Sequence, residues 1–302
     1  MNVDWQALNR LRTAFLDGTA GSQDYWHSET DLASYDQTFG QRIAWKWDYV
    51  LDELTRRQWT PPGGTVLDWG CGTGVASRAF LRHFGTQALT KLYLSDRSPL
   101  AMQFAAQNCR GVPVWLETKP AAADVVLLSH VLTELAPVAL GELLALVRQA
   151  TAVIWVEPGT LAVSRQLIAI REQLREDEQA GRLFNVVAPC PHQTACGMLA
   201  AGNERHWCHQ FAPPPPAVFT DGDWARFGKL AGIDLRSLPV SFLVLDKRTV
   251  APTDRPRVMG RARVYKAHAL VLECSATGVQ ERQVLKRTAP ELFRQLKKKG
   301  IP

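Results

Sequence analysis

Two groups of residues in this sequence of 302 have the types and the spacing for chemistry. The first is Asp68-Trp69-Gly70-Cys71-Gly72-Thr73-Gly74, directly after the apolar pair Val66-Leu67. Glycines so placed let the backbone turn sharply and approach a ligand closely, and a helix that follows them presents unpaired N–H groups at its start. The pattern is Gly-x-Gly-x-Gly with a carboxylate two positions ahead, not the Gly-x-Gly-x-x-Gly of dinucleotide-binding folds. Twenty-eight residues beyond Asp68, Leu94-Ser95-Asp96 ends a second apolar run, where an acidic side chain can accept hydrogen bonds from both hydroxyls of a ribose. After a further run ending at Ser129, His130 and Glu134 are four apart, the spacing of one helix face, and are the candidates for a base or a substrate contact.

The second group is Cys190, Cys196 and Cys208, which share a short Pro-rich stretch with His192, His206 and His209. Soft thiolates gathered on irregular backbone favour zinc or an iron–sulfur cluster. A fourth ligand is wanted. Cys71 lies in the glycine loop and Cys109 among the strands, which leaves Cys274. The spacing Cys-x5-Cys-x11-Cys-x65-Cys matches neither the paired Cys-x2-Cys of zinc ribbons nor a ferredoxin run, so it implies a metal without naming it.

These residues need elements to hold them. Short apolar runs at Thr65–Trp69, Lys91–Ser95, Pro113–Glu117, Asp124–Ser129 and Ala152–Glu157 read as strands, and Val75–Phe84, Pro99–Asn108, Leu135–Ala150 and Ser164–Ala180 read as helices. Such alternation is the signature of an α/β fold with a parallel sheet covered by helices. Leu8, Leu11 and Phe15, and later Ile43, Trp47, Val50, Leu51 and Leu54, have helical spacing, with a polar stretch Asp17–Thr38 between them. The sequence therefore divides into an amino-terminal helical region (1–60), a core (61–181), a Cys/His/Pro-rich metal-binding insertion (182–220) with little regular structure, and a core completion with a basic end (221–302). In the last part, Trp224–Ala231 and Pro290–Lys299 read as helices, Val240–Leu245 as a strand, and Arg261–Glu273 as one strand of alternating burial.

Charge follows the same division. Residues 247–302 carry 14 Lys/Arg against 4 Asp/Glu, so the net +6 of the chain hides an acidic body and a strongly basic end. That asymmetry points to a polyanion, with Arg255, Arg257, Arg261, Arg263, Lys297, Lys298 and Lys299 as phosphate contacts. Disordered, collagen-like and disulfide-scaffold classes are excluded by the 46% hydrophobic content and the six unevenly spaced cysteines. No run is long and apolar enough to span a bilayer, and the start lacks a secretory pattern, so a cytoplasmic protein without a membrane partner is expected. Oligomeric state is not legible.

The glycine loop with its preceding Asp68, Asp96 at the end of the next strand, and Ser129-His130-Val131-Leu132-Thr133-Glu134-Leu135 resemble the class I S-adenosylmethionine-dependent methyltransferases, which have a Rossmann-like core. In that family the carboxylate before the glycines lies near the cofactor's cationic amino group and the segment after the fourth strand lines its methionine side. The resemblance implies an S-adenosylmethionine site at Asp68, Gly70, Cys71, Gly72, Gly74, Asp96 and Ser129. Ala188-Pro189-Cys190-Pro191-His192, then Cys196, Trp207-Cys208-His209 and a late Cys274 before the basic end are more specific. From about Tyr35 onward the sequence resembles the small-ribosomal-subunit methyltransferase-like family, bacterial homologues of a mitochondrial small-subunit assembly factor. That resemblance implies a [4Fe–4S] cluster on Cys190, Cys196, Cys208 and Cys274, with zinc as the alternative left by spacing, and association with the small ribosomal subunit and its RNA. Gln210 departs from it, because the family commonly has Phe directly after Trp-Cys-His.

Whether methyl transfer occurs is not decided by these residues. Ser129-His130-Val131-Leu132 lacks the Asn/Asp-Pro-Pro-Tyr/Phe of exocyclic-amine methylases, no Cys stands there for attack on a pyrimidine, and no Lys-Asp-Lys-Glu set is evident. An RNA methyltransferase and a non-catalytic RNA-binding assembly factor that retains the cofactor pocket are the two expectations.

Overall fold

The computed structural model describes residues 1–18, 24–176, 184–250 and 255–299. Two compact units make up the chain, Met1–Glu157 with Ala212–Leu238, and Pro158–Phe211 with Pro239–Pro302.

The first unit is built on five parallel strands, β1 (Gly64–Trp69), β2 (Leu89–Ser95), β3 (Val114–Leu116), β4 (Val125–Ser129) and β5 (Ala152–Pro158), in the order β3-β2-β1-β4-β5. Continuous apolar runs such as Val125–Leu128 and Val153–Val156 are buried along their length, as strands covered on both faces must be. This is the α/β arrangement expected from the alternation, with the Rossmann-like core that the resemblance implies. Three helices α1 (Trp5–Leu16), α2 (Glu29–Tyr35) and α3 (Gln41–Arg56) precede the sheet. Asp4 caps α1 by accepting from the Gln6 and Ala7 N–H groups, and Ser28 caps α2. A π-helical turn, Asp36–Gly40, runs α2 straight into α3. On α3, Trp47, Val50, Leu51 and Leu54 fall at helical spacing and are fully buried; burial of each such side chain contributes about 1.5–3 kcal/mol. The crossover helices are α4 (Val75–Phe84), α5 (Pro99–Asn108) and α6 (Pro137–Val147). A separate core of Leu8, Leu11, Trp26, Leu32, Trp224 and Phe227 packs α1 and α2 against the helix Gly222–Ala231.

The second unit begins with α7 (Leu161–Glu176). The Cys-rich stretch is more regular than its composition suggests, with β6 (Asn185–Ala188) antiparallel to β8 (Leu238–Asp246), a 3-10 turn at Gly197–Leu199 and a short strand β7 (Gln210–Ala212). The expected single strand Arg261–Glu273 is in fact a hairpin, β9 (Arg257–Val264) and β10 (His268–Ser275), continued by β11 (Gly278–Leu285) into a three-stranded antiparallel sheet. The alternation ran unbroken across its turn because Tyr265 stacks on His268 and its N–H donates to the His268 carbonyl, which closes the turn without glycine. Phe293 and Leu296 of the terminal helix Pro290–Lys299 pack onto this sheet with Ala269, Val271 and Val284. Helix α7 is described as far as Glu176; 177–180, expected to continue it, lie outside the described residues. Among the described residues, no helix is long and apolar enough to cross a membrane.

Candidate functional site

Strand β1 delivers the glycine loop to the carboxyl edge of the parallel sheet. Gly70 and Cys71 donate to the Ser95 carbonyl (2.8 and 3.0 Å), which ties the loop to the end of β2. Gly70 has φ +68, and a Cβ there would stand 2.9 Å from a Val131 methyl. Only glycine fits such a position. Asp96 joins loop to helix: its Oδ2 accepts from the Gly72 N–H and its Oδ1 from the Ser98 N–H, both at 2.9 Å. Burial raises its pKa, against the lowering effect of those two bonds.

Asp68, which the resemblance implies lies near the cofactor's amino group, stands on β1 directly ahead of the loop. It is fully buried, does not line the cavity described below, and its Oδ2 accepts from the Ser77 N–H (3.1 Å) and hydroxyl (2.6 Å). The carboxylate thereby pins the first turn of α4 beneath the loop, and burial lifts its pKa to about 6. Gly74 likewise stays out of the cavity wall. The other five residues of the set, Gly70, Cys71, Gly72, Asp96 and Ser129, line one cavity of about 840 Å³. That volume lies in the range of cofactor and small-molecule sites.

His130 and Glu134 also line the cavity, but on an irregular turn ahead of α6 and not on one helix face. The turn is held from below by Glu157, whose Oε1 accepts from the Val131 and Leu132 N–H groups and from the Trp155 indole (3.0, 3.1 and 2.8 Å). Ser129 Oγ accepts from the Trp47 indole at 2.9 Å. His130 adopts φ +57, a strained conformation for a residue with a Cβ, and its Nε2 stands 3.2 Å from Lys46 Nζ. Burial, then Lys46, then Arg42 hold its pKa well below the usual imidazole value. Glu134 is raised to about 7 by burial, with Arg97 3.6 Å away opposing the shift.

Sequence reasoning missed a whole wall of this cavity. Phe15, Tyr25, Trp26, Tyr35 and Phe39 line it from the amino-terminal helices, in edge and stacked ring contacts with one another. Most of them sit within the stretch read as merely polar; four aromatic residues in fifteen were the available signal. Arg42 and Lys46 of α3 were missed as well, because cations on an amphipathic helix look like its solvated face.

In the second unit, Cys190, Cys196 and Cys208 line one small cavity with Arg171, and Cys274 on β10 joins Cys196 in a buried cluster against which Cys208 packs. None of the four is in a disulfide. Burial pushes the Cys208 pKa up, with Cys190 and Cys196 adding to it, and raises Cys274 to about 12 by the same causes in the same order. The four segments are tied around them. The Ser164 and Ser241 hydroxyls donate to the Cys208 carbonyl (2.7 and 2.8 Å), Arg171 donates to the Thr194 carbonyl (2.9 Å), and His192 Nε2 lies 3.5 Å from Cys274 Sγ. Gln210, the departure from the resemblance, is buried with its side-chain amide donating to the Val258 carbonyl of β9. Among the described residues, no three Cys, His, Asp or Glu side chains are grouped as ligands of a single metal ion.

The basic residues divide. Arg255 and Lys297 are exposed, Arg261 is exposed with its guanidinium 4.1 Å from the Phe211 ring, and Arg263 is exposed but ion-paired with Glu281. Arg257 turns inward instead, over the Phe242 ring at 5.6 Å and donating to the Pro189 carbonyl beside Cys190. The side chains of Lys298 and Lys299 lie outside the described ones.

A family model described as mitochondrial small ribosomal subunit Rsm22 matches residues 48–300. No curated protein matches the chain. Similar solved structures include a protein of Thermoplasma acidophilum (12% identity over 66% of this chain and 86% of that one, TM-score 0.38). A putative RNA methyltransferase from Pyrococcus horikoshii is similar at 13% identity (67% and 84% covered, TM-score 0.39). The plantazolicin methyltransferase BamL, in complex with a triazolic desmethylPZN analog and SAH, is similar at 11% identity (81% and 100% covered, TM-score 0.42).

Proposed function

The chain belongs to the family described as mitochondrial small ribosomal subunit Rsm22, and from that premise we propose that it is an S-adenosylmethionine-binding, methyltransferase-like protein acting on small-subunit ribosomal RNA or its assembly. The observation that carries the reading is the cavity that Gly70, Cys71, Gly72, Asp96 and Ser129 line together. The residues suit that cofactor. A Cβ built on Gly72 would meet no atom within 4 Å, so the loop is open to a ligand there, and each Asp96 oxygen keeps a lone pair for a ribose hydroxyl. When bound, S-adenosylmethionine supplies an electrophilic methyl group. The chain's own part is positioning: Trp47 fixes Ser129, Glu157 fixes the turn after β4, and the aromatic wall excludes water and offers faces for a planar base.

For the second unit we infer a [4Fe–4S] cluster on Cys190, Cys196, Cys208 and Cys274, with zinc as the alternative. Support comes from four cysteines outside disulfides, two of them buried, drawn together from segments far apart in sequence, with Arg171 and Arg257 near enough to offset thiolate charge. Arg255, Arg261, Arg263 and Lys297 to Lys299 are assigned to RNA phosphates, and the protein to the cytoplasm. Arg257 is assigned instead to the Cys site, where its contacts lie.

One observation favours the reading without chemistry. Both side chains that were candidates for a base are engaged, His130 with Lys46 and Glu134 with Arg97. The test is the small-subunit rRNA modification map in cells carrying Asp96→Asn. Loss of a methyl mark supports the methyltransferase, an unchanged map with under-assembled subunits supports the binding factor, and an unchanged map with normal subunits overturns both.

A further inference from the structure

The cavity of the first unit contains a group of nitrogens that no carboxylate among the described residues meets with a hydrogen bond. Arg42 and Lys46 lie one turn apart on α3, and both line the cavity with His130. Lys46 is only 8% exposed. Its Nζ is 3.2 Å from His130 Nε2, so when the ammonium donates there, His130 carries its proton on Nδ1. That Nδ1 is buried and without a hydrogen-bond partner among the described residues, and so is Nη1 of Arg42, whose Nη2 donates to the Ser237 carbonyl at 3.3 Å.

Among the described residues, no carboxylate hydrogen-bonds to this group. Glu157 acts on Lys46 through space, with Oε1 taken by three donors and Oε2 buried without a hydrogen-bond partner. Asp234, which Arg42 feels, is exposed and bonded to Arg236. Burial first, then Arg42, hold the Lys46 pKa down to about 7, and burial lowers Arg42 to about 10. A buried cation without a partner is costly, and apolar side chains of similar size would fit an amphipathic helix at less cost. A ligand that brings a negative group removes that cost.

We propose that Arg42, Lys46 and His130 form an oxyanion subsite of the cavity, which takes the carboxylate of the amino-acid end of an S-adenosyl cofactor. The assignment rests on the cofactor reading above and deepens it. The cavity then has acceptors at Asp96 for ribose hydroxyls and donors at the Arg42, Lys46 and His130 group for the carboxylate, a match in polarity for a molecule that carries both.

The test compares two ligands that share adenine and ribose, S-adenosylhomocysteine, which has the carboxylate, and 5′-methylthioadenosine, which lacks it. Isothermal titration of the full chain is expected to show S-adenosylhomocysteine weakened by about 10- to 100-fold in Lys46→Met and in Arg42→Gln. The affinity of 5′-methylthioadenosine should change by less than about twofold. Because the carboxylate draws a proton back onto Lys46, titrations near pH 7.5 in buffers of different ionisation heat should show proton uptake with S-adenosylhomocysteine only, and none in Lys46→Met. Equal weakening of both ligands, or of neither, overturns the subsite while leaving the cofactor reading in place. If the wild type binds neither ligand, the cofactor reading fails. Titration with inorganic phosphate then decides: saturable binding abolished in Lys46→Met retains an oxyanion site for phosphate, and no binding overturns it.

Discussion

Lys46 shows how burial changes a residue that reads as surface. In an unfolded chain its ammonium titrates near 10.5, and in the folded protein near 7. Between those values the unfolded chain holds a proton that the folded one has released, so stability falls as pH drops from about 10.5 towards 7, and below 7 the full cost of the buried charge is present. Glu157 runs in the opposite sense. Its carboxyl is raised from 4.5 to about 7 by burial, so its contribution is fully present below 4.5 and is lost as pH rises through 7. Lys46→Met removes only the first effect. Without ligand, the variant should melt at a higher temperature than the wild type at pH 6, with the difference closing by pH 10; scanning calorimetry that shows the same difference at both pH values would contradict the burial argument. A gain in stability paired with a loss of cofactor affinity is the usual mark of a residue kept for its site.

Among the elements, the strand–loop–helix unit of β1 and α4 carries the cofactor reading, and two of its glycines serve different ends. Gly74 has φ +77, and a Cβ there would stand 2.9 Å from the Ala105 Cβ of α5, so Gly74→Ala meets both a left-handed backbone and a clash between helices. Gly72 has φ +50 but open space, so Gly72→Ala meets the backbone cost alone, about 1–2 kcal/mol, and places a methyl in the cavity. Urea denaturation should show the larger loss of stability in Gly74→Ala, while titration with S-adenosylhomocysteine should show lost affinity in a folded Gly72→Ala. The reverse order would mean that the loop does not pack as described. At this scale much of the fold was legible. The strands announced themselves as apolar runs and α5 has the bounds Pro99–Asn108 that its pattern predicts, but the hairpin at Tyr265 was hidden because an alternating pattern does not record the direction of the chain.

Over the whole molecule, the Cys-rich stretch and the basic end fall in one compact unit, and β10 brings Cys274 to the three earlier cysteines. Metal binding there would be coupled to the order of that unit. Protein prepared without oxygen should contain iron and acid-labile sulfide in equal amounts, and Cys190→Ser or Cys274→Ser should lose both; stoichiometric zinc without sulfide would select the alternative. On the RNA reading proposed above, the exposed cations carry the affinity. Arg261→Gln and Lys297→Gln should each reduce the slope of log affinity against log salt by about 1, measured by anisotropy on a small-subunit rRNA fragment. Arg257→Gln should leave that slope unchanged and instead loosen the Cys site, since its guanidinium lies on Phe242 and Pro189.

Residue type and local spacing were enough to mark the glycine loop, Asp96, the first three cysteines of the second group and the basic end, because each is a property of short segments or of chemistry that few residues possess. The sequence alone also determined the α/β class, since buried parallel strands and amphipathic helices differ in period. Tertiary structure decided which of these residues line the cavity. It turned Asp68 towards Ser77, drew Arg257 to the Cys site, and brought Arg42, Lys46 and the aromatic wall of the amino-terminal helices to the cavity. Burial is what changes a cation from a solvated side chain into a counter-charge, and burial depends on which surfaces pack together across long distances in the chain, information that no local pattern contains.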